Sequence, residues 1–455
     1  MKIFTFLLLP LVILFHVIPN NCGLFKACYE GNLVAFNSLV QDHLVDTTKP
    51  DENGVTPLLA VFLGYKVAQK NGIETLRIRG YEKIIRILLD QDHNVFARSS
   101  RGTTLFMLAA STGSAELLKI MLRLINGSNE QFLLEQDIEG KTAFYHALEN
   151  KHLVCMQTLE KWALVSDARF IKSGCDELMK AIALNDRDII NFVGRLPYRQ
   201  FGCDQEGNNV FHYLALYGDP SGSIFQKFRI ISSQARGLSE LACTNEKLKK
   251  AICSGNKAFL TPMHLAVQRG NQECVEFFLA KAGDESIRVH DCLGLSPMHY
   301  LMIKRDISTL DLALIDFFIG YENKHNVAQK ESLFNIRDTD GNTPCMHIVS
   351  NDCIEIVKYF RGKKVGLVAQ NNMGENPFHI AVQNNSVSMV LALVDYFSSL
   401  SSGSLTDSAQ GNVLSGLLLQ KNKLHMTPLD LAGLQSFSDS LSACQKALSL
   451  SFKSV

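Results

Sequence analysis

Histidine and cysteine are the side chains here with the most chemistry to offer, and their spacing decides what they do. His212, His264, His299 and His379 each stand three residues after a helix-start residue, namely Asn209, Thr261, Ser296 and Asn376. Copies of one slot in a stacked chain lie about one repeat apart, too far to share a metal ion. Buried polar groups are hydrogen-bonded as a rule, so a structural role near each helix start is expected of them. Cys345-Met346-His347 and His290-Asp291-Cys292 set a thiol beside an imidazole. A nucleophilic cysteine also needs its base oriented by a third group, and neither pair brings one, nor any oxyanion donor. Cys345 falls in an apolar helical slot and Cys292 at an expected hairpin tip. H-E-x-x-H, Walker, G-x-S-x-G and kinase signatures are missing from the sequence. Gly80, Gly102 and Gly113 read as punctuation between elements. No catalytic, cofactor-binding or metal residue is assigned, and no enzyme is expected.

The elements that position these residues are clearest at Asn256–Leu279. Thr261 suits a helix N-cap, with its hydroxyl, and Pro262 the first helical position, where no N–H is needed. Met263, Ala266 and Val267 follow at helical spacing. Gly270-Asn271 supplies a left-handed stop, and Val275, Phe278 and Leu279 begin a second stripe. Such a helix-turn-helix unit is too small to bury its own apolar face, so it requires neighbours.

The neighbours recur along the chain. Copies begin at Leu24, Thr56-Pro57, Thr104, Thr142, Asn209, Ser296-Pro297, Thr343-Pro344, Asn376-Pro377 and Thr427-Pro428. A fifth copy is degenerate, keeping only Leu178, Ala181, Asn185, Ile190 and Val193. Thr261 to Ser296 spans 35 residues, Thr343 to Asn376 spans 33, and other intervals run 47 to 52, so the period is near 33 with insertions in some units. The pattern Asp-x-x-Gly-x-Thr-Pro-Leu-His-x-Ala, followed by Gly and Val-x-x-Leu-Leu, resembles the ankyrin repeat. Thr261–Ala266 and Asn376–Ala381 carry it most closely. The resemblance implies an all-α solenoid of stacked helix-turn-helix units with hairpin loops, about ten to eleven repeats over 22–455. It is degenerate near 160–200, with insertions near 66–79, 225–255, 315–335 and 398–420. It also implies that the recurring histidines tie adjacent turns. His347 stands one place late and Asp430 replaces the usual histidine.

The bulk numbers are neutral. Lys plus Arg and Asp plus Glu are 45 each in 455 residues, which excludes a global pull toward nucleic acid or anionic membrane. The local basic runs Lys247, Lys249, Lys250 and Arg361, Lys363, Lys364 read as solvated helix ends. The 12 cysteines include no C-x-x-C and occupy apolar slots at Cys155, Cys274, Cys345 and Cys444, as buried thiols would. Met1-Lys2 and the apolar run Ile3–Ile18 read as a signal peptide over 1–21, with an uncleaved membrane anchor as the alternative. Export is therefore expected. Scattered thiols fit better with a reducing final destination.

By the resemblance, function lies where the units differ, at hairpin tips that line a concave face together with the first helices. The candidate partner-binding residues are Glu139, Lys141, Glu206, Asn208, Leu293, Leu295, Asp340, Asn342, Met373 and Glu375. Leu293, Leu295 and Met373 are the informative ones, because apolar tips mark contact surface unless insertions pack over them. The expected function is a non-enzymatic, monomeric scaffold that binds a protein, without cofactor or nucleic acid, and touches membrane only if the N-terminal segment is retained. An exported array of this kind resembles proteins that host-associated bacteria use against eukaryotic partners. The alternative is a cryptic catalytic site in the degenerate region 160–255.

Overall fold

Helix-turn-helix units account for the architecture seen in the computed structural model. It describes residues 23–41, 46–51, 55–70, 75–90, 96–124, 133–166, 174–195, 202–219, 222, 224–226, 245–304, 308–324, 332–361, 363, 365–401, 411–434, 439–440 and 442–446. The expected leader over 1–21 lies outside these residues. The chain divides into two units, Met1–Arg199 and Gln200–Val455.

In the first unit the helices are α1 (Gly23–Glu30), α2 (Leu33–Gln41), α3 (Pro57–Lys70), α4 (Thr75–Asp90), α5 (Leu105–Ser111), α6 (Ala115–Leu124), α7 (Ala143–Glu149), α8 (Leu153–Ser166), α9 (Gly174–Leu184) and α10 (Arg187–Arg195). The first helix of each pair packs on the first helix of the next, giving the row α1, α3, α5, α7, α9, and α2, α4, α6 and α8 pack in a second row. The degenerate copy is a genuine helix pair. Leu178, Ala181, Ile190 and Val193 are buried, and Asn185 turns the chain at φ 50°.

The second unit holds α11 (Val210–Tyr217), α12 (Asn245–Cys253), α13 (Pro262–Arg269), α14 (Gln272–Ala282), α15 (Glu285–Arg288), α16 (Pro297–Met302), α17 (Thr309–Lys324), α18 (Pro344–Ser350), α19 (Ile354–Tyr359), α20 (Pro377–Gln383), α21 (Val387–Ser401), α22 (Gly411–Leu419) and α23 (Pro428–Leu434). Here α11, α13, α16, α18, α20 and α23 form the row of first helices. Gly270 closes α13 at φ 71°, the left-handed stop that Gly270-Asn271 implies.

Apolar residues at helical spacing fill both cores. Phe211, Phe278, Phe318, Phe334, Phe360 and Phe378 are fully buried in the second unit, as are Phe62 and Phe106 in the first. Cys155, Cys274, Cys345 and Cys444 are buried thiols, and burial pushes Cys155 and Cys444 up to about 11.

Part of each insertion lengthens or adds helix. α3 and α4 run 14 and 16 residues, where α5 and α7 have 7. The second helix α17 also runs 16 residues, through the region 315–324. α12 and α22 are additional helices that pack on α14 and α21.

One glycine departs from the sequence reading. Gly80 is not punctuation but lies inside α4, where a Cβ would sit 2.4 Å from the Gly31 carbonyl oxygen. Its role is close backbone approach, and the neighbouring Tyr81 hydroxyl donates to the Tyr29 carbonyl at 2.7 Å.

Candidate interaction surface

Most hairpin tips begin at an Asp or Asn whose side chain organises the next four residues, and Ser99 Oγ does the same for Arg101 and Thr103. Asp291 Oδ1 accepts from the N–H groups of Leu293 and Leu295, both at 2.8 Å. Asp137 does the same for Glu139 and Lys141, Asp204 for Glu206 and Asn208, Asp338 for Asp340 and Asn342, and Asn371 for Met373 and Glu375. The candidate tip residues are thus the second and fourth after that organiser, and their amides are already engaged. Asn256 and Asn422 build the same turn.

The two positions face different surroundings. Glu139, Glu206, Leu293, Asp340 and Met373 are exposed, Leu293 by 59% and Met373 by 50%. Lys141, Asn208, Leu295, Asn342 and Glu375 are only partly exposed. Lys141 bridges Glu139 and Glu149, Glu375 bonds Gln383, and Asn208 and Asn342 accept from Asn256 and Asn371 of the following hairpins at 2.8 and 3.1 Å. The outward row in the second unit is therefore Glu206, Ala258, Leu293, Asp340, Met373 and Leu424, of which Ala258 and Leu424 were not among the sequence candidates. Phe259 adds a further apolar tip, 61% exposed and held at φ 62°, where most copies have glycine.

Backbone bonds join tip to tip. The N–H of Lys257 donates to Glu206 O at 2.9 Å, Thr339 to Leu293 O at 3.2 Å, Asn372 to Asp340 O at 2.9 Å and Lys423 to Met373 O at 2.8 Å. This approach needs glycine beneath it: a Cβ on Gly294, at φ 74°, would lie 2.7 Å from the Thr339 nitrogen.

The four recurring histidines stand under the tips. Thr261 N–H donates to His264 Nδ1 at 3.1 Å, which makes Nδ1 the acceptor and leaves the proton on Nε2. Nε2–H then donates to Leu295 O of the next repeat at 3.0 Å. His212, His299 and His379 repeat the arrangement toward Leu260, Asn342 and Met426. All four are fully buried, and burial lowers their basicity, to about 4 for His212 and His299. The Thr261 hydroxyl meets the imidazole at 2.8 Å, so Thr261 and His264 form a reciprocal capping box at the start of α13. Asp430 does the local half of this work at α23, accepting from Thr427 N–H and its hydroxyl.

His347 belongs to a different series, and its reading as a late copy of the capping histidine is corrected here. It lies nine residues after Asp338 and donates from Nε2 to Asp338 Oδ2 at 2.8 Å. His146 to Asp137, Tyr213 to Asp204 and Tyr300 to Asp291 are its equivalents, at 2.9, 3.0 and 2.8 Å. An Asp organiser has a second carboxylate oxygen that needs a donor, and this slot supplies it. Asn256, Asn371 and Asn422 bring an amide instead, and Leu265, Ile380 and Leu431 fill their slots. Asp51, followed by Ala60, breaks the pairing. Burial opposes ionisation of Asp137 and Asp204, but hydrogen bonds outweigh it: the Lys141 N–H and His146 for Asp137, and Asn208 and Tyr213 for Asp204. Both carboxyls sit below their ordinary value.

The thiol–imidazole pairs do not assemble. Cys345 is buried in α18, and Cys292 is exposed on a tip. The basic runs meet acids: Lys249 pairs with Glu285, Arg361 with Asp395, and Lys363 with Asp316 at 2.5 Å.

Helix pairs joined through an Asp- or Asn-organised hairpin define a repeat protein that presents a row of loop tips. The comparisons say which repeat. The family described as "Ankyrin repeats (3 copies)" matches residues 74–163 and 309–402, and "Ankyrin repeat" matches 260–291. The fold is thus all-α and ankyrin-type. Human Rabankyrin-5 is 27% identical over 146 residues, 31% of this chain and 11% of that protein. Its mouse counterpart is 27% identical over 173 residues, 38% of this chain and 12% of that protein. The chain thus matches about a tenth of the length of these relatives. No helix among the described residues is long and apolar enough to cross a membrane.

Proposed function

We propose that the protein is a non-enzymatic scaffold that binds a protein partner through the outward tip row of its second unit and the adjoining first helices. Ankyrin repeats serve protein–protein interaction as a class, and the choice of face rests on one observation. Leu293 and Met373 stand exposed on turns whose backbone groups are already bonded to the organiser and to the next tip. Such turns offer side chains in a pre-ordered geometry, so little conformational entropy is lost on binding. The row also mixes acidic and apolar groups, as a selective contact surface would.

A photo-crosslinker placed at Leu293 or Met373 tests this, with Glu276 on α14 as the control site. The proposed face predicts a defined adduct from each tip position, lost from the Leu293 site on Met373→Glu and from the Met373 site on Leu293→Glu. An adduct from Glu276 alone would put the partner on the opposite face.

The reading includes export, supported by Lys2 and the apolar run Ile3–Ile18. N-terminal sequencing of mature protein should begin near Cys22 or Gly23; a start at Met1 favours the anchored form.

A further inference from the structure

The capping histidine of one repeat and the nine-residue histidine of the next meet at a single junction. Ring centroids of His299 and His347 lie 5.4 Å apart, edge to face. Asp338, bonded to His347, completes the group, and one ligand atom from each of the three lies within 4.8 Å of the others. Among the described residues no other set of this kind occurs. The reason is visible in the neighbouring repeats. His264 meets Tyr300 in the same relation, at 5.3 Å, so its junction has a phenol where this one has an imidazole. His146 of the first unit occupies the nine-residue slot, but the preceding repeat carries Met107 where a capping histidine would stand.

We propose that His299, Asp338 and His347 form a binding site for a divalent transition metal of the zinc class, which would clamp α16 to the hairpin and helix that follow it. Two imidazole nitrogens and one carboxylate oxygen suit Zn²⁺, Co²⁺ or Ni²⁺ with water in the remaining positions. Tetrahedral bonds to zinc of about 2.0–2.2 Å place ligand atoms about 3.4 Å apart, so the three, now within 4.8 Å of one another, must close in on the ion. The protons have somewhere to go. Coordination by His299 Nε2 moves its proton to Nδ1, where the Ser296 hydroxyl oxygen at 2.9 Å accepts it, and the Ser296 N–H gives up its 3.0 Å bond to Nδ1. Coordination by His347 Nε2 moves its proton to Nδ1 likewise, so each imidazole stays neutral and Asp338 brings the negative charge. His299 gives up its bond to Asn342 O, at 3.2 Å the longest of the four equivalent bonds. Entry is from the His347 side, whose side chain is 22% exposed against 5% for Asp338.

The protein's own alternatives provide the test. His347→Tyr installs the residue that Tyr300 contributes one repeat earlier, and Asp338→Asn installs the organiser used at Asn371. Both variants keep the organiser's bonds to the Asp340 and Asn342 amides and every cysteine. Full-length untagged protein is titrated with ZnCl₂ and CoCl₂ by calorimetry and by thermal unfolding. The wild type should bind one more equivalent than either variant and gain a metal-dependent rise in Tm. In the variants the affinity of that equivalent should fall at least ~10-fold. Equal stoichiometry, affinity and Tm response in all three proteins, or no binding to the wild type, overturns the site.

Discussion

The two units start their helices by different means. In the first, the third helical residue is Leu59, Met107 or Tyr145, and Thr56, Thr104 or Thr142 caps its N–H with a hydroxyl at 3.2 to 3.3 Å. That cap is local. In the second, Thr343 caps Met346 N–H in the same local way, but His212, His264, His299 and His379 take the position in four repeats and reach across to the carbonyl of the next repeat. One side chain then both starts a helix and joins two repeats. The first unit joins its repeats elsewhere, through His152 to Ser111 O, through Ile138 N–H to Arg101 O and through the close approach at Gly80. Close backbone approach stacks the repeats of both units, with local hydroxyl caps added in the first and buried neutral imidazoles in the second. Both units carry histidines whose basicity burial lowers, His146 and His152 in the first, but only the second repeats them at successive joints.

Acidification should separate the units most. His212 has its basicity lowered to about 4, against about 6.5 unfolded. A histidine so depressed contributes fully above the unfolded value, and its contribution is lost as pH falls from there toward 4. Between pH 7 and 5 the loss is about 2 kcal/mol for His212 alone. His264 and His379, also lowered by burial, act in the same direction. Trp162, the only tryptophan, lies in the first unit. With a chelator present, urea unfolding followed by circular dichroism should therefore shift further with pH than unfolding followed by Trp162 fluorescence. Equal shifts would mean that the histidine joints are not what sets the second unit's stability.

Single substitutions sharpen the contrast. His264→Ala leaves the Thr261 N–H and the Leu295 carbonyl without partners and should cost about 3 kcal/mol in the dichroism transition. Met107→Leu, at the same slot of the first unit, should cost under about 1.5 kcal/mol. A comparable cost for both would dissolve the distinction. Gly294→Ala forces the Thr339 tip away and should cost about 2 kcal/mol, against about 1 for Gly140→Ala, where no atom lies within 4 Å of the new Cβ. The smallest effect is a gain: Phe259→Gly relieves a bulky residue at φ 62° and should stabilise by about 1 kcal/mol.

Much of this was legible in the sequence, for a reason that also limits it. Thr-Pro, the capping histidine and the turn glycine are demanded by local geometry, so each copy repeats them at the same spacing. His347 was misplaced because the nine-residue slot shows its logic only beside Asp338, and its residue changes with the organiser. Gly80 was misread because its duty is set by Gly31, far away in sequence. The tips divided into exposed and partly buried positions for a like reason. Asn208 and Asn342 bond to Asn256 and Asn371 of the next hairpin, a contact that no single repeat displays.

The organiser at each tip also shapes how such a surface changes over generations. Asp291 or Asn371 holds the turn through backbone amides, so the residue two places on serves the fold through its backbone while its side chain points out exposed. Glu206, Ala258, Leu293, Asp340, Met373 and Leu424 show how wide the accepted range is. Replacement at these positions is close to neutral for stability, while each one redraws what the row touches. If the row binds a partner as proposed, mutational drift can sample new partners on an unchanged scaffold, and a library randomised at these positions should keep a high fraction of folded members.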